Sequence, residues 1–81
     1  MDKSMTRLIN VIEKTKDSSN CQKVLNLDCY SYFLCLIHVI EEAFLNYQKG
    51  KNYSHLIKTS EYAIFSYKKL SASNKIKVKN I

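Results

Sequence analysis

The sequence predicts an all-α protein: a small up-and-down bundle of three or four helices with a basic C-terminal tail. The chain has 81 residues, no proline and one glycine, whereas turn-rich β architectures need both residues repeatedly. Its hydrophobic fraction of 46% is sufficient for a core. Three segments also carry apolar residues at helical spacing. We therefore predict one domain, with a bundle over residues 1–71 and a flexible basic tail over residues 72–81.

The first predicted helix runs from about Met5 to Lys16. Its apolar residues recur at steps of three and four, which is the spacing of one helix face; they are Met5, Leu8, Ile9 and Ile12. The polar residues Asp17 to Asn20 end this helix, because their side chains compete for backbone hydrogen bonds and favour turns and caps.

A short helical turn is predicted over residues 20–26. Ser19 followed by Gln22 fits a capping box, in which each side chain bonds a free backbone N–H of the other residue. Asp28 is a second candidate N-cap. The sequence leaves open whether residues 20–48 form one bent helix or two helices.

The central helix is predicted from about Cys29 to Lys49. Its main apolar seam consists of Phe33, Ile37, Ile40, Phe44 and Tyr47, and Leu36, Val39 and Ala43 widen it. Gly50 is placed where a left-handed residue would end the helix.

The third helix is predicted from Asn52 or Ser54 to about Leu70. Its expected inner face consists of Tyr53, Leu56, Ile57, Ser60, Ala63, Ile64, Tyr67 and Leu70. Beyond it, residues 75–79 alternate lysine with an apolar residue, a period typical of strands. Because the sequence predicts no sheet for them to join, we expect a mobile basic tail.

Positive charge is concentrated in the C-terminal part of the chain. Residues 49–81 contain eight lysines and one acid, whereas residues 1–48 contain four lysines, one arginine and six acids. This asymmetry indicates an acidic partner, namely nucleic acid, an anionic membrane surface or an acidic protein. A residue usage that favours AT-rich codons is the alternative explanation. The single arginine makes sequence-specific DNA reading unfavourable, since base recognition relies on its bidentate fork.

The central helix is apolar almost all round, which predicts that it is covered on more than one side. Leu34 and Leu45 lie opposite the main seam, so either residues 20–27 or another chain covers them, or they are two exposed leucines of the kind common on any protein surface. We therefore predict a non-catalytic protein–protein interaction module, a small regulatory adaptor, inhibitor or assembly subunit. It would bind a protein partner or form a homodimer through the central helix, using Leu34, Leu45, Tyr47 and Tyr53.

The alternative function is that of a nucleic-acid-binding accessory protein using the third helix and the tail. The lysines that could contact phosphates are Lys58, Lys68, Lys69, Lys75, Lys77 and Lys79. Neighbouring tyrosines could stack on unpaired bases. A helix-turn-helix formed by the central and third helices is a weaker version of this hypothesis.

Catalysis, metal binding and cofactor binding are not predicted. Cys35 and His38 could share one helix face, but a structural zinc site needs four ligands, usually in paired knuckles. The one glycine excludes a glycine-rich phosphate loop.

The expected location is cytoplasmic. Three cysteines are an odd number, which is typical of reduced thiols rather than a disulfide scaffold. The N-terminal residues lack the apolar stretch of a secretory signal. The most apolar stretch, Cys29 to Ile40, is too short to span a bilayer, so no transmembrane segment is predicted.

Overall fold

All regular structure in the computed structural model, which describes residues 3–47 and 49–80, is helical. The helices in order are α1 (Lys3–Lys14), α2 (Ser18–Leu25), α3 (Cys29–Leu45), α4 (His55–Lys68) and α5 (Ala72–Lys79). The predicted all-α class is confirmed. The three long helices are those expected, α2 corresponds to the short helical segment predicted over residues 20–26, and α5 is additional.

Aspartates begin both α2 and α3. The Asp17 side chain accepts a hydrogen bond from the Asn20 backbone N–H at 2.7 Å, and Asp28 accepts one from Ser31 at 2.8 Å. The Asp28 cap is therefore confirmed, but the predicted capping box at Ser19 is wrong. With Asp17 as the cap, Ser18 enters the helix and turns its hydroxyl into the core.

The segment that follows α2 bends sharply, so α2 and α3 are separate helices. Asn26 adopts the left-handed conformation, with φ of 54°, and its backbone N–H closes the last turn of α2. Asparagine tolerates this conformation better than most residues do. The axes of the two helices differ by 103°.

The α3 helix ends at Leu45, one turn earlier than the sequence predicts. The Asn46 side-chain amide donates to the Glu42 carbonyl at 2.9 Å and to the Glu42 carboxylate at 2.8 Å. The Asn46 backbone N–H also donates to the Glu42 carbonyl at 3.0 Å, so Asn46 caps the end of α3. The predicted extension to Lys49 includes Gln48, which lies outside the described residues. Gly50 does have the expected left-handed conformation, with φ of +88°, but it lies in the connecting loop.

Residues predicted to form a tail instead form α5. Ser71 caps this helix by accepting a hydrogen bond from the Asn74 N–H at 3.2 Å. Val78 is partly buried against the core, whereas Ile76 is 62% exposed. The alternation of residues 75–79 therefore did not indicate an extended chain. The last residue of the predicted tail, Ile81, lies outside the described residues.

The core uses a different face of α3 from the predicted seam. Its fully or largely buried hydrophobic residues are Met5, Leu8, Ile12, Cys21, Tyr32, Phe33, Leu36, Val39, Ala43, Tyr62, Ala63 and Leu70. Of the five seam residues only Phe33 is buried; Phe44 is 74% exposed and Tyr47 is 69% exposed. The residues expected only to widen the seam are the central ones.

The α4 helix is also rotated relative to the prediction. Its buried residues include Thr59, Tyr62 and Ser66, while Ile57 and Ile64 of the predicted inner face are 73% and 60% exposed. A polar face can be buried here because every buried side-chain nitrogen or oxygen in the described part of the chain has a hydrogen-bond partner.

Hydroxyl groups from four parts of the chain meet on this buried face. The Tyr32 Oη lies 3.1 Å from the Ser18 Oγ, which lies 3.3 Å from the Ser66 Oγ. The Tyr62 hydroxyl donates to the Thr15 carbonyl at 3.3 Å. The polar side of α4 therefore packs in the core, and Ile57 and Ile64 on the same helix are exposed.

Candidate functional site

An apolar surface runs along the α3–α4 pair. On α3 it consists of Ile37, Ile40 and Phe44, and on α4 of Ile57, Ser60, Ile64 and Tyr67. Each set follows steps of three and four residues, so each forms one stripe along its helix. We call these seven residues the α3–α4 face.

The two stripes enclose a groove of about 380 Å³. Phe33 at the start of α3 lies beside Tyr67 near the end of α4, with ring centroids 5.8 Å apart, so the two helices are antiparallel. Ser60 and Ala63 are small and allow the helices to approach closely at the groove floor. Lys68 is the one charged residue that lines it.

Large side chains continue the stripes beyond the groove. Phe44 follows Ile40 by one turn of α3, and Ile57 precedes Ser60 by one turn of α4. Single exposed apolar residues are common on protein surfaces, but a contiguous apolar patch is typical of an interaction site.

The structure separates the four interface residues that the sequence predicts. Leu34 is partly buried against the core, and Leu25 and Leu27 of the chain itself lie around it. Leu45 is 81% exposed. Both belong to one stripe of α3, but they are eleven positions apart, which is about 16 Å along the helix.

Tyr47 and Tyr53 do come together. Their rings stack with centroids 6.2 Å apart, and the Tyr53 hydroxyl donates to the Asn46 carbonyl at 2.7 Å. The Lys51 ammonium lies 5.8 Å from the Tyr53 ring centroid. This aromatic pair follows the C-terminal end of α3, close in sequence to Leu45 and Phe44.

The lysines of the alternative hypothesis have different roles. Lys58 is partly buried, and its ammonium donates to the Glu13 carbonyl at 3.1 Å and to the Thr15 carbonyl. It therefore binds the C-terminal end of α1, where free carbonyls attract a cation. Its ammonium is engaged within the fold, which makes it a poor candidate for phosphate contact.

Three other lysines lie over aromatic rings. Lys69 is 4.4 Å from the Phe65 ring centroid, Lys75 is 5.4 Å from that of Tyr67, and Lys77 is 5.8 Å from that of Tyr30. Lys68 and Lys79 are exposed. The exposed positive charge thus lies at the end of α4 and on α5.

The geometry of α3 and α4 does not fit a helix-turn-helix. The connection between them spans residues 46–54, and the helices run antiparallel beside each other. The DNA-binding motif joins its helices by a three- or four-residue turn and crosses them at a large angle. The short turn predicted at Gly50 to Asn52 is only part of this loop.

The three cysteines are unpaired in the structure, with Cys21 buried and Cys29 and Cys35 partly buried. Burial raises the pKa of the Cys35 thiol. Within residues 3–47 and 49–80, no three histidine, cysteine or acidic side chains are grouped so that they could hold a metal ion.

Among the described residues, no single helix has the length and apolar character needed to cross a membrane. The bent pair of α2 and α3 passes that test by length and composition alone.

Sequence reasoning missed the α3–α4 face because it assigned Phe44, Ile57 and Ile64 to the core. The signal that could have revealed it is the hydroxyl stripe of Thr59, Tyr62 and Ser66 on α4. These residues recur at steps of three and four, as the isoleucine stripe does. Two such stripes on one helix indicate that both of its faces contact other protein surfaces.

Comparisons with protein-family models, with curated proteins and with solved structures gave no match to this chain.

Proposed function

We propose that this chain is a non-catalytic protein-interaction module, a small regulatory or assembly subunit, that self-associates through the α3–α4 face. The observation that supports this most directly is the exposure of Phe44, Ile57 and Ile64, which belong by helical spacing to the two apolar stripes beside the groove. Burying a side chain of this size contributes about 1.5–3 kcal/mol. Covering all three therefore provides a substantial driving force for association.

A second copy of the chain is a suitable partner because the face contains both projections and a depression. The projections are the largely exposed side chains of Phe44, Ile57 and Ile64, and the depression is the groove, with the small Ser60 at its floor. A two-fold symmetric interface uses the same patch on both subunits and so needs such self-complementarity. Lys68 lines the groove and Lys75 lies over Tyr67, so the positive charge that adjoins the face is at its α4–α5 end, away from Phe44 and Ile57.

The margin of the proposed interface includes Leu45, Tyr47 and Tyr53. Leu45 follows Phe44 in the sequence, and the rings of Tyr47 and Tyr53 stack beside the end of α3. Leu34 is placed apart from them, at the opposite end of the helix. We thus propose that the central helix takes part in the interface, together with α4.

The test is the solution mass at micromolar concentration by sedimentation equilibrium. We expect the wild-type chain at twice its 9.5 kDa mass, and Phe44→Glu and Ile64→Glu at the monomer mass. Val24→Glu is the control: it introduces the same charge at an exposed apolar position on α2, outside the α3–α4 face and its margin. A monomeric wild-type chain, or dissociation by Val24→Glu alone, would contradict the proposal.

Nucleic-acid binding is the second candidate, supported by the grouping of Lys68, Lys75, Lys77 and Lys79 around the α4–α5 end. Each phosphate contact steepens the logarithmic salt dependence of binding by about one unit. Fluorescence anisotropy with a random duplex at several salt concentrations would measure it. Replacing these four lysines with glutamine should lower both affinity and salt slope if the hypothesis holds, and an unchanged curve would reject it.

The unpaired thiols support a cytoplasmic, reducing setting for either activity.

A further inference from the structure

A second apolar surface lies on the other side of α3, in a pocket between α1, the α2–α3 connection and the first half of α3. Its volume is about 420 Å³, within the range of small-molecule sites. The apolar lining consists of Met5, Leu8, Leu25, Leu27, Leu34 and Cys35. Other residues of the chain therefore cover Leu34 in part, and the pocket leaves space beside it.

Polar groups of this pocket belong to three residues, Ser4, Arg7 and His38. Arg7 is exposed and is the only arginine of the chain. Among the described residues, the one close approach of a basic to an acidic side chain joins His55 to Glu13, at 3.9 Å. The Arg7 guanidinium therefore has no carboxylate neighbour in that part of the chain. An arginine at the mouth of an apolar pocket favours an anionic head, and its planar fork matches a carboxylate.

We propose that this pocket binds the carboxylate of a medium-chain fatty acid, with the aliphatic tail among the leucines and the head at Arg7. Met5 and the branched leucine side chains adapt to a flexible tail, and methionine does so with little strain. The volume suits a single aliphatic chain. This inference is independent of the self-association proposed above.

The cysteines provide the measurement, because the chain carries one inside the pocket, one outside it and one in the core. Cys35 lines the pocket, Cys29 is partly buried but does not line it, and Cys21 is fully buried. The alkylation rate of each thiol is measured by mass spectrometry. The rate at Cys35 reports on ligand binding in the pocket, the rate at Cys29 on general thiol reactivity, and the rate at Cys21 on unfolding. Decanoate is the probe, used below the concentration at which it forms micelles.

We expect decanoate to slow Cys35 alkylation saturably while the rates at Cys29 and Cys21 stay unchanged. Arg7→Gln should weaken protection by decanoate about two- to fivefold, as expected for an exposed ion pair, and leave protection by decanol unchanged. Lys14→Gln is the matched control, since it removes one exposed positive charge from α1 outside the pocket.

Three results would overturn the proposal. The first is a Cys35 alkylation rate that decanoate does not change. The second is faster alkylation of Cys21 with decanoate, which would mean that the additive unfolds the chain, and the third is an equal loss of Cys35 protection in Arg7→Gln and Lys14→Gln, which would mean that net charge alone attracts the anion. The solution mass of the wild-type chain bears on self-association only, so the two proposals fail separately.

Discussion

At the scale of single residues, the main feature is that hydroxyl groups take the place of aliphatic packing between α2, α3 and α4. Ser18 connects Tyr32 to Ser66, and all three residues are buried. Buried hydroxyls are tolerated when each has a partner, and they then fix which faces meet. In this protein they determine that the isoleucines of α4 point outward.

Tyr32 makes this network sensitive to alkaline pH. Burial raises the pKa of Tyr32 well above its usual value, because the anion would lose its hydration in the core. The unfolded chain releases the Tyr32 proton near pH 10, where the folded chain still holds it. The unfolded state then binds fewer protons, so the free energy of unfolding falls as pH rises above 10.

We predict that Tyr32→Phe removes this part of the alkaline destabilisation. At neutral pH the variant should be less stable by about 1 kcal/mol, because Ser18 loses one hydrogen-bond partner. The difference in the free energy of unfolding between the variant and the wild type should become smaller above pH 10. Urea unfolding followed by circular dichroism at a series of pH values measures both effects. Tyr47→Phe removes an exposed hydroxyl and serves as the control, and a gap that stays constant with pH would contradict the assignment.

At the scale of helices, the structure differs from the sequence prediction mainly where two local signals compete. Ser19 and Asp17 are both good N-caps, and sequence alone favours Ser19 because Gln22 follows at the right spacing. The tertiary bonds of Ser18 decide in favour of Asp17.

Replacing the two candidate caps distinguishes them. We predict that Asp17→Ala lowers the free energy of unfolding by about 0.5–2 kcal/mol, since the Asn20 N–H loses its acceptor. Ser19→Ala should change it by less than about 0.5 kcal/mol, because Ser19 is exposed and its hydroxyl only contacts the Lys69 ammonium at 3.3 Å. Chemical unfolding measures both variants, and a larger loss for Ser19→Ala would restore the capping box.

The positions of α1 to α4 were predictable to within a few residues, and so was the buried face of α1, where Met5, Leu8 and Ile12 are in the core, whereas the buried faces of α3 and α4 were not. The α3 helix begins at the predicted residue, and α4 lies inside its predicted limits. Apolar spacing on these helices is compatible with two orientations, because Ile37, Ile40 and Phe44 repeat as regularly as Leu36, Val39 and Ala43. Only packing against the other helices decides between them, and the location of the candidate site follows from that choice.

At the scale of the whole molecule, a short chain has to build a core around a helix that is apolar on several sides. Small domains bury a smaller share of their surface than large ones, and their stability is correspondingly limited. Here the core takes one side of α3, Leu25 and Leu27 lie beside part of a second side, and the α3–α4 face is left open to solvent. Association through that face would then contribute directly to the stability of the fold.

This coupling predicts that the melting temperature depends on protein concentration. A tenfold increase in concentration stabilises each chain of a dimer by about 0.7 kcal/mol, which corresponds to a rise of roughly 3–6 °C for a domain of this size. Differential scanning calorimetry over a hundredfold concentration range measures it. Ile57→Lys should abolish the dependence, because it places a charge on the α3–α4 face at a position that makes no core contact. Lys79→Gln, which changes a charge on α5 outside the seven residues of that face, should retain the dependence. A wild-type melting temperature that is constant across the range would mean that the chain is stable without a partner copy, and the exposed isoleucines would then have no role in folding.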